Sequence, residues 1–167
     1  MGEGKGADAL KPFWKRLKSS RSKIEAVAMD MSPAYFEAVT TNLPKAAIVF
    51  DRFHVIKLFN DKLSELRRSL YHNANEQQKK VLKGSRWLLL KASEHLDDTR
   101  NEQDRLQQAL TLNQPLLTAY YLKEELRLFW DKPTKGVAKR FLKGWLERAR
   151  ASGIKILITM AKTVESH

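Results

Sequence analysis

Two aspartates and a histidine carry the chemistry this chain can offer. Asp30 closes the apolar run Ala26-Val27-Ala28-Met29, and Asp51 closes Ala46-Ala47-Ile48-Val49-Phe50, with His54 three residues on. Carboxylates are hard oxygen donors, and Mg²⁺ takes one or two of them while keeping its other positions for water and phosphate. Acids at the carboxyl ends of neighbouring parallel strands lie in the crevice where open α/β sheets bind ligands. The chemistry suggested is therefore metal-dependent phosphoryl transfer. Other readings stay open on spacing alone. Asp30 fits a loop polar group or a helix cap. Asp51 directly precedes a helical pattern, where Asp as N-cap is worth about 1 kcal/mol. His54 shares a helical face with Asp51, so it could join a metal site, orient a phosphate or be incidental.

The elements that must position these residues follow from periodicity. The stretch from Ile24 to Met29 is nearly continuous apolar, as suits a strand buried on both faces of a parallel sheet. Ser32-Pro33 marks a helix start, with Ser as N-cap and Pro at the first helical position. Tyr35, Phe36 and Val39 give that helix an apolar stripe, and Asn42 with Pro44 ends it. The second strand is 46–50, and the 16 positions from Asp30 to Ala46 suffice for a helical crossover between parallel neighbours. A right-handed β-α-β unit is expected. Upstream, a Gly-rich loop at 1–6 precedes a short amphipathic helix from Ala9 to Leu17, then a Ser-rich turn at 18–22. Downstream of Asp51 the period turns helical, with Val55, Phe59, Leu63, Leu66 and Leu70 as a seam and Lys57, Lys62, Arg67 and Arg68 off it. Further helices are expected at 76–96, 99–111, 114–130, 135–151 and from Ile154 onward, separated at Asp97-Asp98, Asn113, 131–133 and Ser152-Gly153. The fold class read from this pattern is α/β plus all-α and mostly helical, divided as 1–75 and 76–167.

Charge points to the partner. Lys plus Arg outnumber Asp plus Glu by 31 to 19, for a formal charge of +12 and a pI near 10.0, which suits a polyanion such as DNA. The segment 132–155 concentrates this balance in Lys132, Lys135, Lys139, Arg140, Lys143, Arg148, Arg150 and Lys155 against Glu147. That helix is read as a contact to the DNA backbone, or as an amphipathic helix whose Phe141 and Trp145 pack inward while its charges are solvated. Trp87 to Leu90, Tyr120, Tyr121, Phe129 and Trp130 are read as helical core, and His72 and His95 as surface residues. The chain has no cysteine, no apolar signal segment at its start and no run of about 18 apolar residues, so a cytoplasmic, nucleoid-associated protein with no membrane partner is expected. The apolar segment Ile154, Ile156, Leu157, Ile158 and Met160 demands a partner surface, and homo-oligomer formation through it is a further expectation.

Larger patterns narrow the class. The run 27–35, Val-Ala-Met-Asp-Met-Ser-Pro-Ala-Tyr, and the run 43–58 around Ala46-Ala47-Ile48-Val49-Phe50-Asp51-Arg52-Phe53-His54-Val55 closely resemble transposases of the ISL-three family of bacterial insertion sequences. The segment from Leu58 to Arg68, Gly4-Lys5-Gly6-Ala7 with Leu10, and the helical stretch downstream look like that family too. The resemblance implies a DDE transposase, with a partial ribonuclease-H-like β-α-β core followed by a long helical insertion. Asp30 then matches the second acid of a triad that binds Mg²⁺ or Mn²⁺, and Asp51 with His54 matches a supporting Asp-x-x-His signature. Its partner would be the DNA of transposon ends, which the complete enzyme cleaves and transfers.

The family's other two acids are not matched. Nothing before Lys23 reads as the strand that carries the first, Asp8 is no stand-in, and Glu165 lacks the Asn-rich setting of the last. The chain therefore reads as an internal fragment, with negligible strand cleavage expected of it alone and the Mg²⁺ or Mn²⁺ expected in the full-length enzyme. Two other readings remain: a catalytically inactive basic helical fragment that binds DNA or a partner, and an unrelated small α/β phosphotransfer or regulatory domain.

Overall fold

A computed structural model of the chain describes residues 7–20 and 22–166. The Gly-rich loop at 1–6 and Arg21 of the Ser-rich turn lie outside the described residues. The chain divides into two compact units, one ending at Val55 and the other spanning Ile56–Ser166.

The first unit is built around two strands. β1 (Ala26–Met29) and β2 (Ala47–Phe50) pair in parallel, in the register Ala26↔Ala47 through Met29↔Phe50. The ladder extends beyond the paired residues, with the Ala47 N–H donating to Glu25 O and the Asp51 N–H to Met29 O. The crossover between them is α2 (Pro33–Asn42), which packs on β1 and buries Val39, while Phe36 stacks on Phe50 at 6.4 Å. Pro33 opens α2 because its fixed φ suits the first helical position and its missing N–H would have no partner there. Ser32 occupies the N-cap position, but its hydroxyl caps nothing; instead Asp30 Oδ1 accepts from the Ser32 N–H at 3.0 Å. A 3₁₀ turn (Ala7–Leu10) leads into α1 (Lys11–Ser19), confirming the short helix read from Leu10, Phe13, Trp14 and Leu17.

α3 (Arg52–His72) starts in the first unit and continues into the second. Its seam is buried at Val55, Phe59 and Leu63 and half-buried at Leu66 and Leu70. Arg67 departs from the expectation that it lies off the seam: its guanidinium is half-buried and donates to Leu82 O at 3.1 Å. The expected helix over 76–96 is broken. α4 (Glu76–Gly84) is opened by a reciprocal Asn75–Gln78 capping box, α5 (Arg86–Leu90) is short, and the chain then leaves the helix through extended Lys91 into a 3₁₀ turn at Ser93–His95. The junction residue Ser85 is buried and returns its hydroxyl to Leu82 O, the competition with backbone bonding that makes Ser a weak helix residue.

α6 (Glu102–Thr111) follows a 3₁₀ turn at Asp98–Arg100, with Asn101 between them at φ 51°, a left-handed conformation that Asn tolerates. α7 (Gln114–Arg127), capped by the Asn113 side chain, ends before the expected Trp130, since 128–131 continue only as turns. α8 (Lys135–Ala151) and α9 (Lys155–Glu165) fall where expected, with Gly153 at φ 67° making the turn between them. Trp145 is the centre of this packing: it is fully buried, meets Phe59 edge-on at 6.2 Å, and donates from Nε1 to Leu122 O at 2.8 Å. α9 buries Leu157, Met160 and Ala161 and packs on α8, leaving Ile154, Ile156 and Ile158 half-buried.

Trp87 and Tyr121 correct the sequence reading, because both are exposed. A helix as short as α5 turns only one side inward, and Leu88 and Leu89 occupy it. On α7 the neighbouring Tyr120 is buried, which points Tyr121 outward. His72 and His95 are on the surface. No helix among the described residues is long and apolar enough to cross a membrane.

Candidate functional site

The register of the sheet places the two aspartates together. Asp30 and Asp51 each follow directly on the paired residues Met29 and Phe50, so both emerge at the same end of adjacent parallel strands. Both line one cleft of about 470 Å³, together with His54, Tyr35, Trp14 and Met29. Asp30 is half-buried, and its Oδ1 is held by the Ser32 N–H while no hydrogen bond among the described residues engages Oδ2. The carboxylate thus braces the turn into α2, and the residue lines the cleft.

Asp51 is bound more fully. Its Oδ1 accepts from the Phe53 N–H at 2.9 Å, its backbone carbonyl accepts from His54 and Val55, and its Oδ2 lies 3.1 Å from His54 Nδ1. It therefore caps α3 and orients the imidazole at once. A carboxylate oxygen in this contact accepts, which calls for a proton on Nδ1 of the imidazole. Both side chains are a little under half exposed, at 45% for Asp51 and 43% for His54.

The donor set fits a hard divalent ion in part. Two carboxylates and an imidazole on one cleft match the one or two protein acids that Mg²⁺ needs beside water and phosphate oxygens. The described residues nevertheless contain no group of three or more His, Cys, Asp or Glu side chains close enough to hold a metal by themselves. Asp8 is engaged elsewhere, paired with Lys11 at 2.8 Å. Glu165 is bound by Arg150 within the second unit.

The basic segment formed by α8 and the turn before it sorts its cations into two groups. Arg148 is tied to Glu125 and Arg150 to Glu165, while Lys132 sits over the Phe141 ring at 4.2 Å. Lys135, Lys139, Arg140 and Lys143 are exposed, and the three lysines recur every fourth residue along one face.

One polar cluster had no signature in the sequence. Lys123 is fully buried, and its ammonium donates to Leu89 O at 2.7 Å and Lys91 O at 3.0 Å, beside Glu124 and 4.8 Å from the centre of the Tyr120 ring. Burial pushes its pKa down, against the pull of Glu124. It closes the carbonyl end of α5, where a cation suits the helix dipole. A lysine inside an apolar stripe of α7 is the only sequence hint that could have found it.

Comparison with known proteins shows the family. The family model for DDE transposases of the ISL-three type, described as "Transposase", matches residues 1–167. The chain is 33% identical over 171 residues to the transposase for insertion sequence element IS1001 of Bordetella parapertussis, a match that covers all of this chain but only 42% of that protein's length. No solved structure matches it. Over its whole length, then, the chain belongs to the ISL-three family of transposases.

Proposed function

We propose that this chain forms part of the catalytic core and the adjoining DNA-gripping helices of a DDE transposase, which cleaves and joins the phosphodiester bonds of transposon ends in the cytoplasm, on the nucleoid. In this reading the β-α-β unit is one portion of a ribonuclease-H-like sheet, residues 1–75 belong to that core, and 76–167 are a helical insertion. The observation that carries it is the strand register, which leaves Asp30 and Asp51 side by side on one cleft in a chain of this family.

Asp30 would hold Mg²⁺ or Mn²⁺ through Oδ2, with Oδ1 fixed by the Ser32 N–H so that the carboxylate keeps one orientation. When bound, the ion activates the attacking oxygen and neutralises charge on the phosphate. Asp51 holds the start of α3 and the imidazole of His54, which lines the same cleft and would serve there as a hydrogen-bonding group for substrate or an ordered water. Lys135, Lys139, Arg140 and Lys143 would hold the DNA backbone by charge, while Arg148 and Arg150, already paired, keep α8 seated on its neighbours. Positioning and charge neutralisation of this kind supply most of the catalysis in phosphoryl transfer.

A transposition assay in cells, using the complete protein that carries this segment, tests the reading. Asp30→Asn is expected to lower transposition by about 100-fold or more, the loss of several kcal/mol of transition-state stabilisation, without reducing protein level. Transposition at the unmodified rate by Asp30→Asn would sink it.

A further inference from the structure

The outer surface of α4 and α5 carries a feature that the proposed chemistry does not use. Trp87 is 64% exposed, and the Arg86 guanidinium lies over its ring, 4.6 Å from the centroid. Tryptophan is seldom left so open without a use, because its indole is large and apolar at every edge but one. The inner side of the same segment is filled by Leu82, Ser85, Leu88 and Leu89, so Lys80, Lys83, Arg86 and Trp87 all face outward.

The surroundings of the ring are cationic. From 66 to 91 there are seven basic residues and one acid, Glu76, which is taken by Lys79 at 2.9 Å. Lys91 is taken by Glu102. Arg67 reaches the end of α4 from α3, its guanidinium donating to Leu82 O at 3.1 Å. Arg105 reaches the same turn from α6, donating to Gly84 O at 3.4 Å. An exposed aromatic face set among positive charges matches one kind of ligand. Each nucleotide of an unpaired strand offers a π-face to stack on the indole and a phosphate to pair with a guanidinium, whereas in a duplex the base faces are covered by their neighbours.

We propose that Trp87, with Arg86 over its ring and the exposed Lys83 four positions before it in the chain, is a stacking site for an unpaired base of single-stranded or locally opened DNA. Arg86 keeps one face of the ring occupied in the free protein and can swing to a phosphate while the base takes its place, at little cost because the site is solvated. The inference rests on the reading of this chain as DNA-binding but is separate from the proposed roles of Asp30 and α8.

Binding of the whole chain to an end-labelled thymidine oligonucleotide of about 15 residues, and to a duplex of equal length at the same salt concentration, tests it. Trp87→Ala should weaken binding to the single strand by about 5- to 100-fold, the worth of one stacked base, and leave duplex binding within about twofold. Trp87→Phe should restore most of the affinity. A strand carrying 2-aminopurine gives an independent readout on the unmodified protein, because stacking on the indole quenches its fluorescence. Unquenched 2-aminopurine in the bound strand, or equal effects of Trp87→Ala on strand and duplex, would overturn the stacking site alone. Failure of the unmodified chain to bind either DNA at low salt would overturn both this site and the DNA reading beneath it.

Discussion

Asp51 and His54 are locked together across one helical turn, with Oδ2 of the first 3.1 Å from Nδ1 of the second, while the other oxygen of Asp51 receives the Phe53 N–H. One carboxylate therefore does two jobs, and substitutions can separate them. Asp51→Asn is expected to leave the α3 start intact, within about 0.5 kcal/mol by urea denaturation, because Asn caps as well as Asp; Asp51→Ala should cost about 1 kcal/mol. In nitrogen NMR of the imidazole, neutral His54 should carry its proton on Nδ1 and lose that preference in Asp51→Ala. A tautomer unchanged by Asp51→Ala would show that the carboxylate does not orient the ring.

Lys123 is a structural cation. Its ammonium answers the carbonyls of Leu89 and Lys91, and Lys123→Met would leave both buried acceptors and Glu124 without it. The loss should be about 2–4 kcal/mol in urea unfolding, the usual outcome when one partner of a buried polar set is removed. Unchanged stability would mean that water reaches those carbonyls.

Acid should weaken the second unit through Glu102. The Lys91 ammonium, 2.5 Å from Oε2, and then the Asp97 N–H hold this carboxyl below its ordinary value near 4.5. A depressed folded-state pKa contributes stability that is present above the unfolded value and lost as pH falls through the folded one. The urea midpoint should therefore drop between about pH 5 and pH 3, and Glu102→Gln should be less stable at neutral pH with a shallower fall on acidification. Parallel acid profiles for the two proteins would argue against the assignment.

Salt dependence should divide the cations of α8. Replacing Lys135, Lys139 and Lys143 together by Ala should reduce the slope of log affinity against log salt by about 3, near 0.9 for each phosphate no longer neutralised. Arg148→Ala should change that slope little, since Arg148 is paired with Glu125, and should instead loosen α8 against α7. A slope that responds equally to Arg148 and to the lysines would place the DNA on a different face.

Much of the site was legible in the linear pattern because its signals are local. Two apolar runs ending in aspartate, a Ser-Pro helix start between them and an Asp-x-x-His junction determine a parallel β-α-β unit, and with it the family, from residues close together in the chain. The helices 135–151 and 155–165 were legible for the same reason, being periodic and bounded by Pro133 and Gly153. What required the tertiary structure were outcomes set by distant partners. Packing on one side of a short helix left Trp87 in solvent, although its apolar neighbours made it look like core. Arg148 and Arg150 resemble the lysines of α8 in sequence, and only Glu125 and Glu165, 23 and 15 residues away, separate them. Lys123 is ordinary in the sequence and fully buried in the fold, because the carbonyls that hold it lie 32 and 34 positions upstream. Periodicity reports which residues share a face, and only the folded chain decides what each face meets.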